Sequence, residues 1–222
     1  AASNSSRCSS SIDASPLAND AFHSRRTRSR SSVRTTPAER IAQYLDRGWW
    51  SGETVGDLFT RAAAVDPLRI AVIDPANRAA LGLGQPRRLA YAELASAATA
   101  MAAQFARLGL RNGDVVLAQL PNTWECVALY LAAARLGIVL SPVAMQYRRH
   151  ELGQIVALLE PRAIVTVHRF KDFDHAALGA ELARECGAHH LVVAGEAPPG
   201  ATPLATGPAS EGDASEVGQV AA

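Results

Sequence analysis

Residues 114–136 read DVVLAQLPNTWECVALYLAAARL, the pattern of a buried strand running directly into a helix. Val115 to Leu120 is a short apolar run with β-branched residues at its start, set between Gly113-Asp114 and Pro121, as expected of a strand covered on both faces. Asn122 or Thr123 is placed to cap the helix, Glu125 puts a carboxylate at the positive end of its dipole, and Gly137 ends it. A second apolar run, Ile138 to Val143, follows at once. The segment therefore has the strand, helix, strand order from which parallel sheets are built.

Working outward, Ala92 to Leu108 carries Leu94, Ala98, Met101, Phe105 and Leu108 on one stripe and is predicted as a helix ended by Gly109. Arg69 to Asp74 alternates as a strand, with Arg87 to Tyr91 as its hairpin partner across the Gly82 to Pro86 turn region. Thr54 to Val65 and Ile41 to Gly48 have helical spacing, and Trp49-Trp50 is expected to pack its rings onto the domain. Downstream, the spacing predicts a helix over His150 to Glu160, a strand over Ala163 to Val167, a helix over Asp174 to Cys186 and a strand over Leu191 to Ala194. This alternation places the chain in the α/β class, as an open doubly wound, mostly parallel sheet with helices on both faces over residues 37–195.

The ends read differently. Residues 1–36 hold six arginines against Asp13 and Asp20 and almost no large apolar side chains, so a disordered Ser/Arg-rich head is expected. Residues 196–222 have linker composition, and EVGQVAA near the end is expected to begin another strand. Across all 222 residues the apolar content of 48% and formal charge of +1 allow one domain with a sizeable core. The three cysteines, Cys8, Cys126 and Cys186, are too widely spaced for a disulfide framework or a CxxC pair, which favours a reducing, cytoplasmic setting; organelle import through the head is the alternative. The apolar stretch Cys126 to Met145 holds Arg135, which would cost roughly 2.5–3.5 kcal/mol at a bilayer centre, so no membrane span is expected.

Familiar catalytic and nucleotide motifs are missing from these residues. There is no GxxxxGK[ST] loop, and Lys171, the only lysine, has no glycine loop before it. Gly82-Leu83-Gly84 lacks a third glycine and precedes a strand instead of following one. His189-His190 point apart on a strand and lack a CxxC or HxxxH companion, His150-Glu151 are neighbours on a helix and do not face each other, and no GxSxG elbow is present. No catalytic and no metal residue is assigned.

The central residues resemble the amino-terminal subdomain of class I adenylate-forming enzymes, the acyl-CoA synthetases and aryl-acid AMP ligases. Leu89-Ala90-Tyr91-Ala92-Glu93-Leu94 stands where that family has (T/S)YxEL, with Ala90 in place of the capping hydroxyl. Gly113-Asp114-Val115-Val116, Leu120-Pro121-Asn122 and Leu136-Gly137 follow in the family's order. Gly48-Trp49-Trp50 and Arg148-Arg149-His150-Glu151-Leu152 narrow the resemblance to the dihydroxybenzoate AMP ligase and cyclohexanecarboxylate CoA ligase branch.

The resemblance implies ATP-dependent formation of an acyl adenylate from a carboxylic acid, then transfer to a thiol such as coenzyme A, with ATP, magnesium and coenzyme A serving the full-length family member. The family's TSGTTGxPK loop is absent here, so the chain is expected to be catalytically incomplete and to bind none of these cofactors alone. Arg148 and Arg149 stand where relatives approach the nucleotide end of coenzyme A and are the candidates for a phosphate contact. Two rival readings remain: an interaction module self-associating through an exposed sheet edge, and nucleic-acid binding through the arginine-rich head, the less favoured of the two.

Overall fold

The computed structural model describes residues 36–221, so the predicted Ser/Arg-rich head lies almost wholly outside the described residues. The central sheet has five parallel strands: β3 (Val115–Gln119), β4 (Val139–Pro142), β5 (Ala163–Val167), β8 (His190–Ala194) and β9 (Thr202–Pro203), in the spatial order β4-β3-β5-β8-β9. Two short antiparallel pairs flank it, β1 (Ile70–Ile73) with β2 (Arg88–Ala90), and β6 (Arg169–Phe170) with β7 (Phe173–Asp174). The helices are α1 (Ala38–Asp46), α2 (Val55–Val65), α3 (Tyr91–Arg107), α4 (Trp124–Leu136), α5 (Arg149–Leu159), α6 (His175–Cys186) and α7 (Asp213–Ala221).

Strand alternation divides the core between the two faces of the sheet. Val116, Ala118, Val165 and Val192 point to one face and pack with Met101 and Phe105 of α3 and Leu129 of α4. Leu117 and Ile164 point to the other and meet Leu152 and Val156 of α5 and Leu178 and Leu182 of α6. Each large member contributes about 1.5–3 kcal/mol when buried. The expected doubly wound sheet is present, and the strands are apolar on both faces for this reason.

Local chemistry sets the boundaries. Thr54 and Asp57 form a reciprocal capping box at α2, each side-chain oxygen accepting the other's backbone N–H. At α3 only half of that arrangement is possible: Glu93 accepts the Ala90 N–H at 2.8 Å, but Ala90 has no hydroxyl to return the bond. Gly137 closes α4 at φ +64°, and a Cβ there would lie 2.7 Å from Asn112 Oδ1. Gly137→Ala is therefore expected to cost about 1–2 kcal/mol in chemical denaturation, from left-handed strain plus displacement of Asn112.

Three expectations are corrected. Of EVGQVAA, Glu216 to Ala221 lie in α7, not in a strand; α7 packs on α3, with Arg107 bonded to Asp213 and Glu216. Residues 196–212 likewise carry β9, which adds to β8 as an outer strand, where only linker was expected. The indoles of Trp49 and Trp50 meet Tyr44 of α1 at tilted and edge-on angles and remain 63% and 43% exposed instead of packing closely onto the domain.

Candidate functional site

In an open parallel sheet, ligands bind beyond the carboxyl ends of the strands, where successive connections leave in opposite directions. That point lies between β3 and β5. β3 leads through α4 to β4 on one side, while β5 leads through α6 to β8 on the other. Gln119, the last residue of β3, is only 3% exposed. Its Nε2 donates to the Ala144 and Tyr147 carbonyls at 2.9 and 3.1 Å, which turns its Oε1 toward His175 Nδ1 at 3.0 Å. Nδ1 must then carry the proton, leaving Nε2 as a buried atom with no partner among the described residues. His175 opens α6 after the Asp174 cap and packs edge-on against Phe173 and Phe170. Burial drives its pKa down to about 4, aided by the Arg148 cation and opposed by Asp174.

On the other side of β3, the end of the β1 segment meets the start of α4 through buried charges. Arg78 donates to Glu125 through both terminal nitrogens, at 2.8 and 2.5 Å, and Nη1 lies 3.2 Å from Asp74. Arg78 Nε donates to the Leu83 carbonyl. Asp74 also accepts the Trp124 N–H at 2.9 Å and the Arg87 N–H at 3.0 Å. The cap of α4 is thus a carboxylate from fifty residues upstream; neither Asn122 nor Thr123 supplies a side-chain cap. Glu125 does more than complement the helix dipole, since it is the ion-pair partner of Arg78.

Two clefts open at this edge. One, of about 670 Å³, is lined by charges of both signs, among them Arg78, Glu125, Arg169 and Glu196. The other, of about 660 Å³, runs over the ends of β3 and β4. Lys171, at the tip of the β6–β7 hairpin, lines both. Its φ of +53° makes it one of two non-glycine residues in the left-handed region among the described residues, a conformation costing about 1–2 kcal/mol.

These donors do not suit a triphosphate. Arg78 is committed to Glu125 and Asp74, Arg169 lies 3.4 Å from Asp174, and neither cleft has a glycine-rich run of free backbone N–H groups. No step through ATP or magnesium is assigned to these residues.

The two arginines singled out from sequence lie at the start of α5 and line neither cleft. Arg149 is bonded to Glu181 and Glu185 of α6 at 2.6–2.8 Å. Arg148 donates to the Met145 and Tyr147 carbonyls and lies over the Phe173 ring at 4.1 Å. Gln119, His175, Asp74 and Arg78 escaped the sequence reading. The available signal was an amide inside an apolar strand and a histidine directly after a capping aspartate. Among the described residues no helix is long and apolar enough to cross a membrane, no group of three or more His, Cys, Asp or Glu could hold a metal, and Cys126 and Cys186 are free thiols.

Comparison with known proteins agrees with this geometry. The chain is 35% identical over 149 residues to a salicylyl-CoA synthase / salicylate adenylyltransferase of a Streptomyces species, covering 67% of this chain and 25% of that protein. It is 30% identical over 162 residues to the 2,3-dihydroxybenzoate-AMP ligase of Bacillus subtilis, covering 72% and 28%. The apo structure of MbtA from Mycobacterium smegmatis superposes with a TM-score of 0.60 at 31% identity, over 76% of this chain and 31% of that one. The chain spans about a quarter of the length of the curated relatives it matches. Residues 59–219 match the sequence profile of the AMP-binding enzymes, and the chain belongs to that family.

Proposed function

We propose that these residues are the amino-terminal part of an ATP-dependent ligase that activates a carboxylic acid, an aryl acid by the character of its relatives. In that reaction a carboxylate oxygen attacks the α-phosphorus of ATP, the bond to the β-phosphate oxygen breaks, and pyrophosphate leaves. A thiol, of coenzyme A or of a carrier protein, then attacks the acyl carbon, loses its proton and expels AMP. The observation carrying this reading is the β3-α4-β4 unit, in which the family residues Gly113-Asp114, Leu120-Pro121-Asn122 and Leu136-Gly137 mark the strand and helix boundaries in order.

The chemistry itself belongs to segments these 222 residues do not contain, since the sequence has no TSGTTGxPK loop and neither cleft supplies triphosphate donors. Arg148 and Arg149 remain the groups proposed for a coenzyme A phosphate; Arg149 reaches one only by exchanging Glu181 and Glu185 for it. A cytoplasmic setting belongs to the same reading, supported by the two free thiols.

The purified chain is expected to show no ATP–pyrophosphate exchange above a protein-free control with aryl, alicyclic or fatty acids. Exchange that rises with chain concentration would overturn the incompleteness. Restoration of exchange on adding the complementary carboxyl-terminal part of a relative would support the assignment.

A further inference from the structure

We propose that the outward face of α2 is a self-association surface on which a second copy of this chain docks antiparallel. Val55, Leu58, Ala62 and Val65 follow one another at steps of three, four and three residues, the spacing of a helix–helix seam, and so share one stripe. That stripe is not the one α2 turns to its own domain. Phe59 packs on the core and against the Tyr91 ring, whereas Val55, Leu58 and Val65 are 70%, 48% and 81% exposed. Nine of the fourteen exposed large apolar side chains among the described residues fall between Leu45 and Ile73, so the exposure is concentrated in the segment that holds this helix and is not scattered over the surface.

A helix face is the surface left for association because the strand edges are blunted. Val139 and Val143 donate to β3, so the Pro142 position faces the open side of β4 and has no N–H to offer. β9 is two residues long and ends in Pro203, and β1 is four residues long with a bulge between Ile70 and Val72.

The stripe is complementary to itself when reversed. Antiparallel pairing centred on residue 60 sets Leu58 of each copy over Ala62 of the other and Val55 over Val65, so a large side chain meets a small one twice. Asp57 and Arg61 border the stripe one turn apart, and the reversed copy brings each Asp57 beside the other's Arg61. Arg61 also keeps the carboxylate of Glu53 in its own copy, which neutralises the two arginines near the centre. The Thr54–Asp57 capping box fixes the first turn of α2 in advance, so pairing orders little that is not already ordered. An interface made by one three-turn helix from each copy falls at the small, transient end of the range, with a dissociation constant on the order of 10–100 µM.

Sedimentation equilibrium of the full 222-residue chain is expected to show a monomer–dimer equilibrium in that range. Leu58→Asp is expected to raise the dissociation constant about tenfold or more. Its far-UV circular dichroism and urea midpoint should match those of the unsubstituted chain, because Leu58 lies on the side of α2 away from the core. With benzoylphenylalanine placed at position 65 and a mixture of ¹⁴N and ¹⁵N chains, light should join one copy to residues 52–58 of the other. A chain that stays monomeric at about 500 µM, a dimer indifferent to Leu58→Asp, or an adduct on residues 139–143 would each overturn the assignment. It would also fall if the chain alone were monomeric and Leu58→Asp instead abolished binding of the complementary carboxyl-terminal part of a relative.

Discussion

Arg78→Ala is expected to destabilise the chain by about 3–5 kcal/mol in urea unfolding, because it leaves two buried carboxylates without their shared cation. Asp74, Arg78 and Glu125 are 5%, 7% and 6% exposed, so water cannot replace the lost partner. Glu125→Ala should cost less, since Asp74 still balances Arg78. The double variant should cost less than the sum of the two single ones, as coupled neighbours do. A cost under about 1 kcal/mol would show that the cluster is not held as described.

The second large effect is carried by His175. Its pKa falls from 6.5 to about 4 on folding, so between these values the unfolded chain binds a proton that the folded chain resists. Stability is therefore intact above about pH 6.5 and is lost progressively as the pH drops, up to about 3 kcal/mol near pH 4 from this one group. Arg148 strengthens the effect, Asp174 weakens it, and Gln119 already uses the single ring proton. Because other carboxylates titrate in the same range, the informative quantity is the difference between the unsubstituted chain and His175→Gln. That difference should narrow by up to about 3 kcal/mol between pH 7 and pH 4. Parallel pH profiles would show that His175 does not resist the proton.

Both effects rest on pairings the sequence could not display. Helix and strand positions were readable because their signal is local. Leu94, Ala98, Met101 and Phe105 repeat at helical spacing and are buried together in α3, and Ala163 to Val167 is apolar but for Thr166 and buried throughout because both its faces are covered. The family motifs were legible for a similar reason, since they mark where strands end and helices begin. Arg78 and Glu125, by contrast, are 47 residues apart, and Gln119 and His175 are 56 apart. No local rule selects those partners. Gln119 looked like one polar residue inside an apolar run, and its role appears only when β3 and the start of α6 are brought side by side. The tail misled for a different reason. The residues of α7 have weak intrinsic preference, and the helix rests on packing against α3 and on Arg107, which the sequence places more than a hundred residues away.

The strand order has a consequence for a chain being synthesised. β3 finds one neighbour quickly, because β4 follows directly after α4. Its other side stays open until α5 has crossed the sheet and β5 has emerged, since β5 pairs with β3 and not with β4. Through that interval the nascent chain carries a bare, highly apolar ladder of backbone donors and acceptors, the kind of edge that recruits foreign strands. Closure of that seam by Ala163–Val167 is the point in biosynthesis at which this half-built sheet stops being a hazard and becomes a scaffold.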